Sequence, residues 1–216
     1  MAVTKFVQYG GSVFGRVVCP WTVATVVLME SLKLPILETG RLLLRPFQLS
    51  DASDVQRLAG DWAIADTTLN VPHPYEDGMA EAWISTHQPS FDAGELAAFA
   101  ITLKANSELV GAVGLQVDQS FDRANMGYWI GEPFWGLGYC TEAARSIVKY
   151  GFTELKLQRL HAQHLARNPA SGRVLQKIGM SKEGTARQHT KKWGKFEDLV
   201  LYGLLRSEWE GRESSW

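Results

Sequence analysis

The residues of this chain whose types and spacing could do chemistry together lie between Asn125 and Ala144, in the run NMGYWIGEPFWGLGYCTEAA. An apolar strand is predicted over Met126 to Ile130. A turn follows (Gly131 to Phe134), then two glycines one residue apart (Gly136, Gly138), then a helix opening at Thr141. A strand that ends in a glycine loop and opens a helix is a place to hold an anion. The first N–H groups of a helix have no partner inside it, and its dipole favours negative charge there. Glycines let a ligand approach the backbone with no Cβ in the way. A tight turn with no ligand would use the same glycine pair, so the pair alone does not decide.

Neighbouring residues exclude two kinds of anion loop. The phosphate loop of NTPases needs Lys and then Ser or Thr after its last glycine. Here Tyr139 and Cys140 follow Gly138. A dinucleotide fingerprint needs a third Gly or Ala at its spacing and an acidic residue about 20 positions on. Gly136, Gly138 and Thr141 supply only the first two glycines.

The fuller run, Tyr128-Trp129 … Phe134-Trp135-Gly136-Leu137-Gly138-Tyr139-Cys140-Thr141-Glu142-Ala143, resembles the acetyl-CoA loop of the GNAT acyltransferases. Within them it is most similar to the branch of the ribosomal-protein N-terminal acetyltransferases RimJ and RimL. The superfamily pattern Arg/Gln-x-x-Gly-x-Gly/Ala maps onto Trp135 to Cys140, with Trp at its first position and Cys as the small residue at its last. The resemblance extends over residues 34–210. It includes Thr39-x-Arg41-Leu42, Asn168-x-x-Ser171 with Gly179, and Asp198-x-x-x-Tyr202. It implies a GNAT fold of the α/β (α+β) class: a mixed, mostly antiparallel seven-stranded sheet, splayed at its centre and flanked by about four helices.

The reaction so implied is transfer of acetyl from acetyl-CoA, as co-substrate, to a primary amine by direct attack in a ternary complex. The acceptor is expected to be a protein N-terminal α-amine or a small-molecule amine. The alternative is a GNAT-fold regulatory module that binds acyl-CoA with little turnover. For the cofactor, the resemblance places the pyrophosphate on N–H groups of Leu137, Gly138, Tyr139, Cys140 and Thr141 after Gly136. It places the thioester against backbone N–H groups of Tyr128, Trp129 and Ile130. Asn168 would bond the pantetheine arm, and Ser171 would stand near the sulfur as donor or acid. Asn168 also reads as a plain helix cap and Ser171 as a first-turn serine. Tyr139 and Tyr202 are rival acids, or core residues with satisfied hydroxyls.

A general base is harder to name. Many relatives carry Glu on the central strand where this chain has Asn125, and some carry Glu in the last hairpin where it has Thr190. Neither replacement accepts a proton at neutral pH. His189 lies beside the second position, and its ordinary pKa suits the task; it also reads as a solvated surface residue. His73, His164 and Asp198 are further choices. With no side-chain base, an α-amine with pKa about 8 would suffer less than a lysine near 10.4.

Several elements must position this loop. A first strand is predicted over Leu37 to Phe47 and a helix over Asp51 to Leu58 capped by Ser50. A loop over Asp61 to Pro74 and a helix over Glu76 to His87 follow. A hairpin pairs Phe99–Leu103 with Leu109–Val117, and Gly111 and Gly114 mark a bulge or close backbone approach. After the central strand comes the clearest helix, Thr141 to Leu155, with Ala144, Ile147, Val148, Phe152 and Leu155 on one face. A strand over Arg159 to His164, a helix opened by Asn168-Pro169, and strands over 182–190 and 196–205 complete the pattern. The acceptor groove is expected from the first two helices, their loop and the last hairpin, with Trp62, His73, Tyr75, Trp83 and Trp193 as its aromatic candidates.

At 216 residues the chain is expected to hold one catalytic domain over 34–210, an N-terminal extension over 1–33 and a tail over 211–216. A formal net charge of −1 gives no field to recruit nucleic acid or an anionic membrane. The apolar stretch Val17 to Met29 is interrupted by Pro20 and is shorter than the about 20 residues a bilayer crossing takes. Two cysteines far apart, Cys19 and Cys140, suit a reducing, cytoplasmic setting. No spacing of His, Cys and Asp suggests a metal. A monomer or homodimer is expected.

Overall fold

The computed structural model describes residues 33–211. But for Lys33 and Gly211, the expected extension and tail lie outside the described residues. The polypeptide forms an eight-stranded sheet in the order β1-β2-β3-β4-β5-β6-β8-β7. The strands are β1 (Leu37–Glu38), β2 (Leu42–Arg45), β3 (Leu96–Leu103), β4 (Leu109–Asp118), β5 (Arg123–Ile130), β6 (Arg159–Leu165), β7 (Ser181–Lys192) and β8 (Lys195–Leu205). The helices are α1 (Ala52–Ala59), α2 (Trp62–Thr67), α3 (Met79–Ser85), α4 (His87–Asp92), α5 (Tyr139–Thr153), α6 (Pro169–Lys177) and α7 (Arg206–Glu210).

Eight strands replace the expected seven because the single strand over Leu37 to Phe47 is folded back on itself. Leu37 pairs with Leu44 and Glu38 with Leu43. The Thr39 N–H donates to the Leu42 carbonyl (3.0 Å), and the Thr39 hydroxyl oxygen accepts from the Leu42 N–H (3.0 Å). The run Glu38-Thr39-Gly40-Arg41 carries no apolar residue, and the chain bends at Gly40 and Arg41. The expected helix over Glu76 to His87 is two short helices. Pro89 has no N–H for the carbonyl four residues back, which ends continuity near Ser85–Thr86. The expected loop over Asp61 to Pro74 holds α2, capped by the Asp61 carboxylate on the Ala63 N–H (2.7 Å).

Every strand pairing is antiparallel except β5 with β6. Parallel neighbours need a crossover, and α5 supplies it. Ala143, Ala144, Ile147, Val148 and Phe152 of α5 pack on Phe99, Leu115, Met126 and Leu160 of the sheet. A second cluster lies on the opposite face, where Val55, Leu58 and Ile84 of α1 and α3 cover Ala100 and Leu109, with Trp129 against them. Gly111 serves close approach: a Cβ there would sit 2.2 Å from the Trp129 carbonyl oxygen. A register shift between Ile101 and Thr102 lies opposite it, so the expected bulge is present too.

His87 sits in the second layer between Phe47 and Trp83, with ring centroids 5.3 and 4.4 Å away. Neither of its ring nitrogens has a hydrogen-bond partner. Burial pushes its pKa down to about 4 from 6.5. The folded state therefore holds the neutral ring. That contribution is complete above pH 6.5 and is lost as pH falls toward 4, by up to about 3 kcal/mol at about 1.4 kcal/mol per unit. Urea midpoints should fall over that window, and His87→Leu should flatten the fall. An equal slope in the variant would place the loss elsewhere.

Candidate active site

The parallel pairing of β5 with β6 is short. Arg123, Ala124 and Asn125 pair with Arg159, Leu160 and His161, and beyond that point the strands part. From there β5 stays on β4 as far as Ile130, and β6 stays on β8 as far as Leu165. The split expected at the sheet's centre therefore begins at Met126. The Gly131 N–H donates to the Val110 carbonyl (2.9 Å), so the odd-numbered amides of β5 face β4. Alternation turns those of Tyr128 and Ile130 into the split, and that of Trp129 away from it.

At the end of β5 a short 3₁₀ turn (Glu132–Phe134) leads into the glycine loop. The Trp135 indole N–H donates to the Ile130 carbonyl at 2.6 Å, which pins the loop to the strand it leaves. Gly136 has φ of 77° and Gly138 of 82°, the left-handed conformation that glycine adopts without strain. With Gly138 as cap, α5 begins at Tyr139, two residues earlier than predicted. Among the described residues no backbone carbonyl accepts from the amides of Gly136, Leu137, Gly138, Tyr139, Cys140 or Thr141. Gly136 to Gly138 is exposed, and a Cβ at Gly136 would meet nothing within 4 Å.

The loop is held from outside by residues about 100 positions away. The Glu142 carboxylate, in the first turn of α5, accepts from the Thr39 hydroxyl (2.7 Å), the Arg41 N–H (2.8 Å) and Arg41 Nε (2.8 Å). Burial works against its ionised form, but the bonds from Thr39 and Arg41 outweigh this and hold its pKa below the ordinary value. Arg41 Nη1 also donates to the Leu137 carbonyl (3.0 Å), and the guanidinium lies 4.5 Å from the Tyr139 ring centre. This clamp is absent from the sequence reading of the loop. Its signal was Thr39-x-Arg41, which the reading used only as resemblance. Beside the clamp lies an open cleft of ≈ 710 Å³, lined by Arg41, Arg145, Lys149 and Lys177 against Glu38 and Glu142. Cations outnumber carboxylates there, on the same side as the unpaired amides.

Across the split stand two of the predicted residues. Asn168 caps α6: its side-chain oxygen accepts from the Ser171 N–H (3.3 Å), and its amide donates to the Thr67 carbonyl of α2 (3.3 Å). The Ser171 hydroxyl lies 2.8 Å from the Tyr128 hydroxyl, which also donates to the Ser171 carbonyl (3.1 Å). Tyr128 was expected to act through its backbone, yet its side chain bridges the two halves of the split. Burial first, and the neighbouring Cys140 second, push its pKa well above 10. Burial likewise pushes the Cys140 thiol up to about 12, so both are neutral. Of the rival acids, Tyr139 lies half-buried under Arg41, and the buried Tyr202 hydroxyl accepts from Gln176 (3.2 Å).

The expected base, His189, lies on β7. His189 is exposed, in the register shift between Ala186 and Thr190 where Gln188 takes φ of 50°. No hydrogen bond joins it to a described residue. Of the expected groove aromatics, Trp62 stacks on Trp193 (4.9 Å) with His73 edge-on (5.1 Å), while Trp83 packs on Phe47 in the core layer. Arg167 ties this corner together, bonding the Asp66 carboxylate (2.7 Å) and the Glu197 carboxylate (2.8 Å). No helix among the described residues is long and apolar enough to cross a membrane.

Comparisons with known proteins give the family and the fold. The family profile described as acetyltransferase (GNAT) domain matches residues 41–181. The chain is 34% identical over 179 residues to an uncharacterised N-acetyltransferase of Bacillus licheniformis, p20, covering 81% of this chain and 98% of that one. It is 30% identical over 104 residues, 47% of this chain and 54% of the other, to the [ribosomal protein uS5]-alanine N-acetyltransferase of Escherichia coli. A solved GNAT-family acetyltransferase of Bacillus anthracis superposes with TM-score 0.71 at 25% identity, over 80% of this chain and 99% of that one. RimL, a ribosomal L7/L12 α-N-protein acetyltransferase solved with coenzyme A, shares the fold (TM-score 0.73, 16% identity, 79% and 98% covered). Sequence and overall fold thus agree, and the chain belongs to the GNAT acetyltransferase family.

Proposed function

We propose that the protein transfers acetyl from acetyl-CoA to a primary amine, and that the glycine loop holds the diphosphate. The observation that carries this is the row of unpartnered amides from Gly136 to Thr141 at a helix N-terminus, beside a cleft rich in Arg and Lys. The loop therefore fits the group: it is exposed, has no side chain over Gly136, and offers donors only. When bound, acetyl-CoA supplies an activated acyl carbon with a thiolate as leaving group.

The residues divide the remaining work. The amides of Tyr128 and Ile130 face the split and can donate to oxygen charge developing on the acyl group. Ser171, backed by Tyr128, presents a hydroxyl to the same space and can donate to the departing sulfur. Asn168 holds the first turn of α6, and so Ser171, in place while its amide fixes α2 across the gap.

The acceptor is an α-amine of a protein N-terminus in this reading. Relatives named for ribosomal targets support it. So does the use of acidic groups around the groove: Asp66 and Glu197 are both spent on Arg167, and Asp198 accepts from the Gln188 N–H (2.7 Å). A polyamine would need carboxylates free to meet its extra charges. The test is thiol release from acetyl-CoA with a panel of N-terminal peptides, amino acids, polyamines and aminoglycosides. Turnover with peptides bearing a free α-amine is expected. Binding of acetyl-CoA without turnover on any acceptor would overturn the transferase reading, and turnover on polyamines alone would overturn the acceptor.

A further inference from the structure

Two adjacent residues at the mouth of α6 hold two adjacent residues at the end of α2: Arg167 bonds Asp66, and Asn168 bonds Thr67. The Arg167 guanidinium meets the Asp66 carboxylate through both terminal nitrogens, Nη1 to Oδ2 at 2.7 Å and Nη2 to Oδ1 at 3.1 Å. Nη2 also donates to the Asp66 carbonyl (2.6 Å), and Nε donates to the Glu197 carboxylate of β8 (2.8 Å). The Asp66 and Thr67 carbonyls lie in the last turn of α2, where the helix has no N–H left to give them. The Trp193 indole N–H also donates to the Asp66 carboxylate (3.1 Å), and its ring stacks on Trp62. One guanidinium thus joins the β6–α6 junction to α2 and to β8.

That junction is short, since β6 ends at Leu165 and α6 begins at Pro169. The Ala166 N–H donates to the Asp198 carbonyl (2.9 Å) and the Asn168 N–H to the Leu165 carbonyl (2.7 Å), which fixes where the strand stops. Ser171 is the third residue of α6, and its N–H is the one that Asn168 caps. Its hydroxyl is therefore set from two sides, by Tyr128 across the split and by the junction. Arg167 is exposed, and exposed ion pairs contribute little stability. A guanidinium fork does fix direction as well as distance. We propose, on the transferase reading above, that Arg167 is a positioning residue: by clamping α2 and β8 to the start of α6, it sets where the Ser171 hydroxyl stands against the departing sulfur. Arg167 acts through Asn168 and Ser171 and moves no proton itself. A lysine would keep the charge, but its single nitrogen on a flexible stem cannot hold Asp66 and Glu197 in one geometry.

The experiment compares Arg167→Lys, Ser171→Ala and the double variant. It reads thiol release from acetyl-CoA with a peptide acceptor, acetyl-CoA binding by calorimetry, and the thermal midpoint. Arg167→Lys is expected to lower kcat about tenfold, with acetyl-CoA affinity within about threefold of wild type. In the Ser171→Ala background the same change should lower kcat less than about twofold, because no hydroxyl is left to position. Asp66→Ala removes the other half of the fork and leaves Arg167 in place; its loss should depend on Ser171 in the same way. A contact that matters only for folding would instead lower the thermal midpoint and the active fraction alike in both backgrounds. Wild-type kcat in Arg167→Lys, or the same loss with and without Ser171, sinks the assignment. If wild type neither binds acetyl-CoA nor releases thiol, it is the transferase reading that fails instead.

Discussion

Gly136→Asp should lower kcat/KM for acetyl-CoA about 1000-fold while Gly136→Asn lowers it less than about tenfold. Both side chains tolerate the left-handed backbone that φ of 77° requires better than other residues do. Both are of similar size, and a Cβ at this position meets open space. The pair therefore isolates charge from shape. A carboxylate about 4 Å from a phosphate charge at an effective dielectric near 20 costs about 4 kcal/mol per unit-charge pair, which is about three decades. The salt dependence should separate the two as well, since screening weakens a partly exposed repulsion. Binding measured by calorimetry at low and high salt checks both points. Equal losses in the two variants would mean that the space beside Gly136 is filled by neutral parts of the ligand.

How much of this was legible in the sequence depended on distance along the chain. The glycine loop, the helix it opens and the cap at Asn168 are local, and each has its own residue signature within a few positions. They were read with small errors of boundary: α5 starts at Tyr139 because Gly138 itself turns the chain, and no capping side chain was needed. Between β7 and β8 both Trp193 and Gly194 have positive φ, as a two-residue hairpin turn requires. The split was foreseen only through resemblance. Nothing in β5 or β6 alone says that pairing stops at Asn125, since both strands continue with good β formers. Beyond it each strand keeps only the partner on its other edge, β4 for β5 and β8 for β6, which is a property of three-dimensional packing.

The same logic explains the site residues that were missed. The Arg41–Glu142 clamp joins positions 101 apart, and the Tyr128–Ser171 bridge joins positions 43 apart. Neither link has a signature within a few positions of its own residues. His189 was favoured because it neighbours a position in the hairpin, but a bulge decides where that side chain goes, and a bulge is not a spacing. Spatial neighbours made by sheet register are the information a single sequence carries least directly.

Ser171→Ala should lower kcat about 100-fold, Tyr128→Phe about tenfold, and the double variant no more than Ser171→Ala alone. The order follows from the geometry. Tyr128 is buried and its hydroxyl is held by the Ser171 carbonyl and hydroxyl, so it is poorly placed to reach solvent or substrate directly. Burial also drives its pKa upward, which makes it a weaker acid than a free phenol. Ser171 is half-buried and lies at the first turn of α6. A proton delivered to sulfur therefore leaves from Ser171 Oγ, and Tyr128 aligns that hydroxyl rather than ionising. Residues that act in series are non-additive, and general acid assistance contributes on the order of 100-fold or more. Acetyl-CoA affinity should stay within about threefold in all three proteins, because the diphosphate loop is untouched. The competing arrangement, in which Tyr128 is the donor to sulfur, reverses the order: Tyr128→Phe would then be the more damaging change, and the kinetics of the two single variants decide between them.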